Sequence, residues 1–141
     1  MKKGQDKTGI AMKMYRIERF LYVHHLRLLA KATCHLLHLA FGCVIPPSVV
    51  IGGGTKIAHA VGIVIHQRAI IGNNCTIYQN VTIGNDTVCM GDDVLVGAGA
   101  IIMGPCKIGA GAKIGAGTFV NFDVPENATV VGPKGLIIEA R

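Results

Sequence analysis

The sequence predicts an all-β solenoid of parallel strands preceded by a short helical segment. From Ile45 to Glu126 an aliphatic residue opens each unit of six residues, and the fifth position is small or β-branched. The second and fourth positions are rich in Gly, Asn and Asp, which adopt positive φ angles at low cost and therefore suit tight corners. A period of six with this composition is typical of short strands that stack as successive coils.

Thirteen consecutive units fit this pattern, with Ile63 and Val64 interpreted as additions after the third unit and Cys89 as an addition after the seventh. Three units form one triangular coil of about eighteen residues, and coils stack at about 4.8 Å. The segment therefore predicts about four coils, with the first and fifth positions pointing inward. The predicted inward fifth positions are Val49, Thr55, Val61, Ala69, Cys75, Val81, Thr87, Val94, Ala100, Cys106, Ala112, Thr118 and Val124.

The period changes in the N-terminal segment, so we divide the chain into a basic segment, 1–42, and a repeat domain with a C-terminal tail, 43–141. Residues 1–13 are polar, and from about residue 14 the leucines and arginines suit one or two amphipathic helices. Gly42 is a suitable helix end, and Pro46 and Pro47 prevent continuation. Three roles stay open for these helices: a cap on the first coil, a contact between subunits, or a peripheral contact with a membrane.

The formal charge of +6 is concentrated in the N-terminal segment. Residues 1–40 hold eight Lys or Arg and two Asp or Glu, whereas residues 41–141 hold six of each. No nucleic-acid recognition motif or aromatic pattern accompanies the positive charge, which argues against a nucleic-acid partner. The five cysteines form no CxxC motif, and the N-terminus has no signal-peptide pattern. These features predict reduced thiols and a cytoplasmic protein, peripheral to a membrane if the basic helices bind one.

A candidate general base lies where the repeat is interrupted. Eight residues, instead of six, separate Ile57 from Ile65, and His59 stands in this interruption. A neutral imidazole can accept a proton from a hydroxyl near physiological pH, which is what a general base must do. A surface histidine at a corner is the simpler interpretation, and His66 is a rival base. The remaining histidines lack carboxylate or Cys companions at metal-binding spacing, so we expect no metal.

The repeats resemble those of the hexapeptide-repeat acyltransferases. The runs IPPSVVIGGGTKIAHAVGIVIHQRAIIGNNCTIYQNVTIG and VLVGAGAIIMGPCKIGAGAKIGAGTFV are similar to serine acetyltransferases and to relatives that O-acetylate bacterial polysaccharides. The resemblance implies a left-handed parallel β-helix, acetyl-CoA as co-substrate, and a homotrimer with active sites between subunits. It also implies that His59 removes the proton from the acceptor hydroxyl.

The same resemblance implies an acetyl-CoA surface along the coils. The residues matched to this surface are Gln79, Thr82, Gly84, the backbone amides of Ala98 and Ala116, and Lys113. Small side chains would let the pantetheine arm approach the backbone.

Several positions depart from the serine acetyltransferase pattern. Ala58 and Val44 stand where those enzymes carry Asp, and His66 and Gln67 stand where they carry a Gly-Glu pair. A long loop with a second histidine is absent, and the N-terminal segment is short. The short form resembles the colanic-acid and capsule-type acetyltransferases. We therefore expect an acetyl-CoA-dependent O-acetyltransferase that acts on a sugar of a bacterial surface polysaccharide or its precursor.

Three alternatives remain. The first is a serine O-acetyltransferase of cysteine biosynthesis with an unusual site. The second is a β-helical metalloenzyme of the γ-carbonic-anhydrase type, which needs three histidines per site, whereas the repeats contain only His59 and His66. The third is a structural β-helix without catalytic activity.

Overall fold

The chain folds into a triangular parallel β-solenoid of about four turns whose first turn is covered by two helices. The computed structural model describes residues 7–132, so the predicted C-terminal tail beyond residue 132 lies outside the described residues. Helix α1 spans Lys7–Val23 and α2 spans Arg27–Phe41. Gly42 ends α2 in the left-handed conformation (φ +63°), and its N–H donates to the His38 carbonyl, as the sequence predicts.

Thirteen short strands follow the helices. They are β1 (Val50–Ile51), β2 (Lys56–Ile57), β3 (Val64–Ile65), β4 (Ile70–Ile71), β5 (Thr76–Ile77), β6 (Thr82–Gly84), β7 (Val88–Met90), β8 (Leu95–Val96), β9 (Ile101–Met103), β10 (Cys106–Ile108), β11 (Lys113–Ile114), β12 (Phe119–Val120) and β13 (Thr129–Val130). All pairings are parallel, in a first sheet β1-β4-β7-β10, a second β2-β5-β8-β11-β13 and a third β3-β6-β9-β12. This parallel solenoid is consistent with a left-handed β-helix.

Inside the prism, the aliphatic opening positions form continuous columns. Ile57, Ile77 and Ile114 are fully or almost fully buried in the second sheet, and every opening residue from Ile45 to Val120 is buried. Since each coil is only about 4.8 Å thick, one coil cannot bury these side chains without its neighbours. The apolar core is therefore a product of stacking.

The extra residues lie in the corners, at earlier positions than the sequence interpretation placed them. Val64 pairs with Thr82, and Ile63 is fully buried, whereas Val61 is 54% exposed. Val88 likewise pairs with Cys106 and is buried in place of Thr87. The predicted inward positions of Val61 and Thr87 are therefore wrong, because pairing with the next coil fixes the strand and pushes the additional residues outward.

The last turn is shorter than the repeat predicts. Ile108 pairs with Val124 and Ile114 with Val130, an offset of sixteen residues, whereas Ile102 and Val120 are offset by eighteen. Val124 therefore lies above an opening position, not above a fifth position. It is still buried, so the core column continues with a changed register.

Helix α1 begins at Lys7, seven residues before the predicted start, and it covers the exposed edge of the first coil. Ala11 and Tyr15 of this helix are fully buried. The Tyr15 hydroxyl donates to the Val49 carbonyl at 2.6 Å, and the Arg16 guanidinium donates to the carbonyls of Ile51 at 2.8 Å and Gly52 at 2.6 Å. Residues 7–13 are thus part of a folded cap.

These side chains take the place of a missing coil. In the next coil the Ala69 carbonyl accepts from the Val50 N–H, and the Ile71 carbonyl accepts from the Gly52 N–H. The equivalent carbonyls of the first coil, those of Val49 and Ile51, point away from the solenoid. No further coil lies there to donate N–H hydrogen bonds to them. Tyr15 and Arg16 supply the donors, and Arg19 adds bonds to the carbonyls of residues 47 and 48.

Candidate active site

The corner between β2 and β3 is two residues longer than the corner stacked on it. Lys56 pairs with Thr76 and Val64 with Thr82, so the lower corner spans eight residues where the upper one spans six. His59 and Ala60 adopt φ angles of +65° and +40° in this corner. Left-handed backbone at residues other than Gly costs about 1–2 kcal/mol each, and such strain is often found at functional sites.

The edge of the prism that contains this corner is called here the His59 edge, made of residues 58–62 and of 78–80, 97–99 and 115–117 in the following coils. The coils are joined there by backbone hydrogen bonds: the Asn80 N–H donates to the Val61 carbonyl, the Gly99 N–H to the Gln79 carbonyl and the Gly117 N–H to the Ala98 carbonyl, each at 2.9 Å. His59, Gln79, Ala98 and Ala116 therefore lie along one edge.

The side chain of His59 is exposed beside a groove of about 560 Å³. This groove lies between the corner and the helical cap, and apart from His59 it is lined by Ile10, Ala40, Phe41, Gly42, Ala60 and Val61. The ring centroid of Tyr78 lies 6.5 Å from that of His59. Within residues 7–132 the His59 imidazole has no hydrogen-bond partner, and its side chain is exposed.

The backbone N–H groups of Ala98 and Ala116 on the His59 edge are available to a ligand. Within residues 7–132, the amides of Ala98 and Ala116 donate to no protein acceptor. On the neighbouring edge two of the equivalent amides are occupied, because the Gly53 N–H donates to Asn73 Oδ1 at 2.8 Å and the Asn73 N–H to Asp92 Oδ1 at 2.7 Å. The amides of Asp92 and Ala110 on that edge have no acceptor among the described residues. Alanine has no side-chain acceptor, so the His59 edge keeps a column of available donors.

The other predicted cofactor residues are distributed around this edge. Thr82 lies on the outer face of the third sheet, and Lys113 lies exposed on the outer face of the second sheet. The amide oxygen of Gln79 is buried and has no hydrogen-bond partner in the described structure. Gly84 lies farther away, at the opposite end of β6.

Gly84 borders a second groove of about 430 Å³, which also contains His66. The Nδ1 atom of His66 accepts a hydrogen bond from the Arg68 N–H at 3.4 Å, and its ring is partly buried. The two histidines of the repeats therefore lie at different corners of the prism, and the structure does not bring Gly84 to the His59 edge.

Sequence reasoning missed the groove beside His59. Ile10 and Phe41 come from the N-terminal helices, which the sequence analysis treated separately from the site. The feature of the sequence that could have indicated this groove is the apolar run before Gly42, which ends with Phe41. Across residues 7–132, no cluster of three or more His, Cys, Asp or Glu side chains could hold a metal ion. No helix in that same range is both long and apolar enough to cross a membrane.

Comparison with known proteins gives consistent matches. The bacterial transferase hexapeptide (six repeats) family matches residues 90–121. A serine acetyltransferase of Synechococcus elongatus is 38% identical over 69 residues, which are 49% of this chain and 28% of that protein. The present chain thus spans under a third of that relative.

Solved structures match over a larger part of the chain. The serine acetyltransferase of Neisseria gonorrhoeae in complex with serine superposes with a TM-score of 0.82 and 38% identity over 87% of this chain and 53% of that one. A serine acetyltransferase in complex with CoA gives a TM-score of 0.83 and 38% identity over 86% and 52%. The present chain spans about half the length of these two proteins. In sequence and in fold, the chain is therefore similar to the β-helical part of serine acetyltransferases, and its residues 90–121 match the hexapeptide repeats of bacterial transferases.

Proposed function

We propose that the protein is an acetyl-CoA-dependent O-acetyltransferase in which His59 is the general base. The observation that carries this proposal is the extended corner, where a strained backbone holds an exposed histidine beside a groove. The free amides of Ala98 and Ala116 on the same edge suit the peptide-like pantetheine arm of CoA. The solved relative in complex with CoA also supports this co-substrate. Gln79, Thr82 and Lys113 remain proposed contacts of the same arm. Gly84 is the least favoured of the proposed cofactor contacts, because it lies at a different corner of the prism from His59.

The reaction proposed for this site is acyl transfer through a tetrahedral intermediate. The neutral imidazole of His59 accepts the acceptor's hydroxyl proton as the oxygen attacks the thioester carbonyl carbon. When the carbon–sulfur bond breaks, the imidazolium returns the proton to the CoA thiolate. A positioned base of this kind contributes about 10²–10⁴-fold to the rate, and the alignment of the two substrates contributes the rest.

The similar proteins favour serine as the acceptor over a sugar. The Synechococcus relative is a serine acetyltransferase, and the Neisseria enzyme has a structure with serine bound. Serine is therefore the first acceptor to test.

A saccharide hydroxyl is the second candidate, and one observation favours it. Apart from His59, the described groove lining contains no ionisable side chain that could pair with the ammonium or carboxylate of an amino acid. Ala58 and Val44 stand where the resemblance implies aspartates, so the usual charged partners are missing from the first coil. A neutral sugar does not need such partners.

A homotrimer would complete this site. Val64, Ile101 and Phe119 are exposed on the outer face of the third sheet, next to the His59 edge and on both sides of Thr82. A triangular prism packs readily around a threefold axis, and burying this apolar face would bring a second subunit to the proposed CoA surface. Light scattering of the purified chain tests this, because a monomer at micromolar concentration would contradict it.

An acceptor screen with two matched variants tests the function. We expect release of the CoA thiol from acetyl-CoA with L-serine or with a member of a saccharide panel, and an acetylated product in mass spectrometry. His59→Asn should lower kcat by about 10²–10⁴-fold with little change in acetyl-CoA affinity. His66→Asn is the control and should keep activity. If only His66→Asn abolished activity, the base assignment would be wrong. If no acceptor were acetylated, the enzymatic proposal would fail.

A further inference from the structure

The outer face of α2 carries an unpartnered apolar stripe. Leu28, Ala32, Leu36 and Leu39 follow one another at intervals of four, four and three residues, so they lie along one side of the helix. Leu28 is 84% exposed and Leu39 is 82% exposed. The opposite side of α2 is the one that packs on the protein, through the buried residues Ala30 and Leu37. Isolated exposed leucines are ordinary, but a continuous stripe usually marks a contact surface.

The charges that flank this stripe are all positive. Arg27 and Lys31 are exposed on neighbouring turns of α2. Glu18, the acidic residue of the two described helices, is fully buried and contributes nothing to the outer surface. The stripe therefore combines exposed leucines with cations and no exposed anion.

We infer that this face of the helical hairpin binds the surface of an anionic phospholipid bilayer. Amphipathic helices of this type lie in the interface, with leucines among the upper acyl chains and Lys or Arg among the headgroups. Charge complementarity favours this occupant over a second copy of the chain, since self-association would bring Arg27 and Lys31 of two copies together. The contact is peripheral, because neither helix of the described chain can cross the bilayer.

Both parts of the surface contribute to the binding. Each Lys or Arg near an anionic membrane contributes about fivefold to the partition coefficient. The leucines contribute through burial of apolar area, which salt does not screen. Binding should therefore weaken, but not vanish, when the salt concentration is raised.

Vesicle flotation of the full chain tests this inference. We expect co-flotation with phosphatidylcholine vesicles that contain about a third phosphatidylglycerol, and much weaker binding to pure phosphatidylcholine. Arg27→Gln with Lys31→Gln should reduce the partition coefficient by roughly thirtyfold, and Leu28→Gln with Leu39→Gln by at least about tenfold. These side chains are exposed, so circular dichroism should show unchanged folding.

Matched changes on the solenoid serve as controls. Lys56→Gln with Lys107→Gln removes two exposed cations, and Phe122→Gln with Val131→Gln removes two exposed apolar groups. Neither pair should change flotation. Absence of binding to anionic vesicles, or equal loss in the hairpin variants and the controls, would overturn the inference. It would also be overturned if the leucine variant lowered the oligomeric state without lipid, since the stripe would then be a contact between copies.

Discussion

The solenoid and the helical hairpin solve the problem of buried polar groups in opposite ways. The solenoid buries columns of aliphatic side chains, and each coil satisfies the backbone of the next. The hairpin buries the carboxylate of Glu18, whose oxygens have no hydrogen-bond partner in the described structure, and it exposes several leucines. Inside the solenoid each coil supplies the hydrogen-bond partners of its neighbour, whereas the first coil depends on side chains of the hairpin that covers it. The difference indicates that the solenoid supplies stability and the hairpin supplies contacts.

The strongest test of the solenoid compares two neighbouring isoleucines of β4. Ile71 is 1% exposed and Ile70 is 47% exposed. Ile71→Asp would bury an unpaired charge between coils and should cost about 3–5 kcal/mol or more, which is most of the stability of a typical domain. Ile70→Asp should change the free energy of unfolding by less than about 1 kcal/mol. Urea unfolding followed by circular dichroism measures both, and equal losses would contradict the inward and outward assignment.

The hairpin should become more stable when the charge of Glu18 is removed. Burial raises the pKa of Glu18 from 4.5 to about 7. The folded protein therefore holds a proton that the unfolded chain releases. Stability falls as the pH rises from about 4.5 to about 7, and the penalty is complete above that range.

Glu18→Gln removes this penalty. At pH 8 we expect the variant to exceed the parent by about 3 kcal/mol in the free energy of unfolding, and at pH 4.5 the two should be equal. The exposed Glu126 provides the control, since Glu126→Gln should have little effect at either pH. A pH-independent gain from Glu18→Gln would indicate a packing effect instead of titration.

A smaller effect is expected where the two regions meet. Tyr15→Phe removes the 2.6 Å hydrogen bond to the Val49 carbonyl and leaves that buried carbonyl without a donor. The cost should be about 1–2 kcal/mol. Tyr22→Phe, which changes a more exposed tyrosine of the same helix, should cost less than about 0.5 kcal/mol. Thermal unfolding of the two variants measures the difference, and a similar shift in both would show that the cap does not depend on this bond.

The start of the hairpin could not be predicted because several side chains that anchor it to the first coil are charged. Arg16 and Arg19 bind backbone carbonyls of the first coil, yet on a helical wheel they resemble a solvent-facing surface. Ala11 is fully buried but small, so it adds little to the hydrophobic pattern. A polar residue that caps another element cannot be distinguished from an exposed one until the partner is known.

The sequence predicted how many extra residues the corners contain but not which positions they occupy. Two extra residues before β3 and one before β7 follow from counting, since the aliphatic residues resume after eight and seven residues. Which residue turns inward does not follow, because Val61 and Ile63 are both aliphatic and Thr87 and Val88 are both β-branched. Strand pairing with the next coil determines which residue points inward, because Val64 pairs with Thr82 and Val88 pairs with Cys106.

The sequence by itself determined the solenoid, its parallel stacking and the interruption that contains His59, because a period of six is a local property of the chain. Only the tertiary structure decided which surfaces meet. It placed Ile10 and Phe41 beside His59, put the amides of Ala98 and Ala116 on the same edge, and separated Gly84 and His66 from them. These relations join residues of different coils and helices, and they depend on the stacking register and on the packing of the cap, which no local pattern specifies.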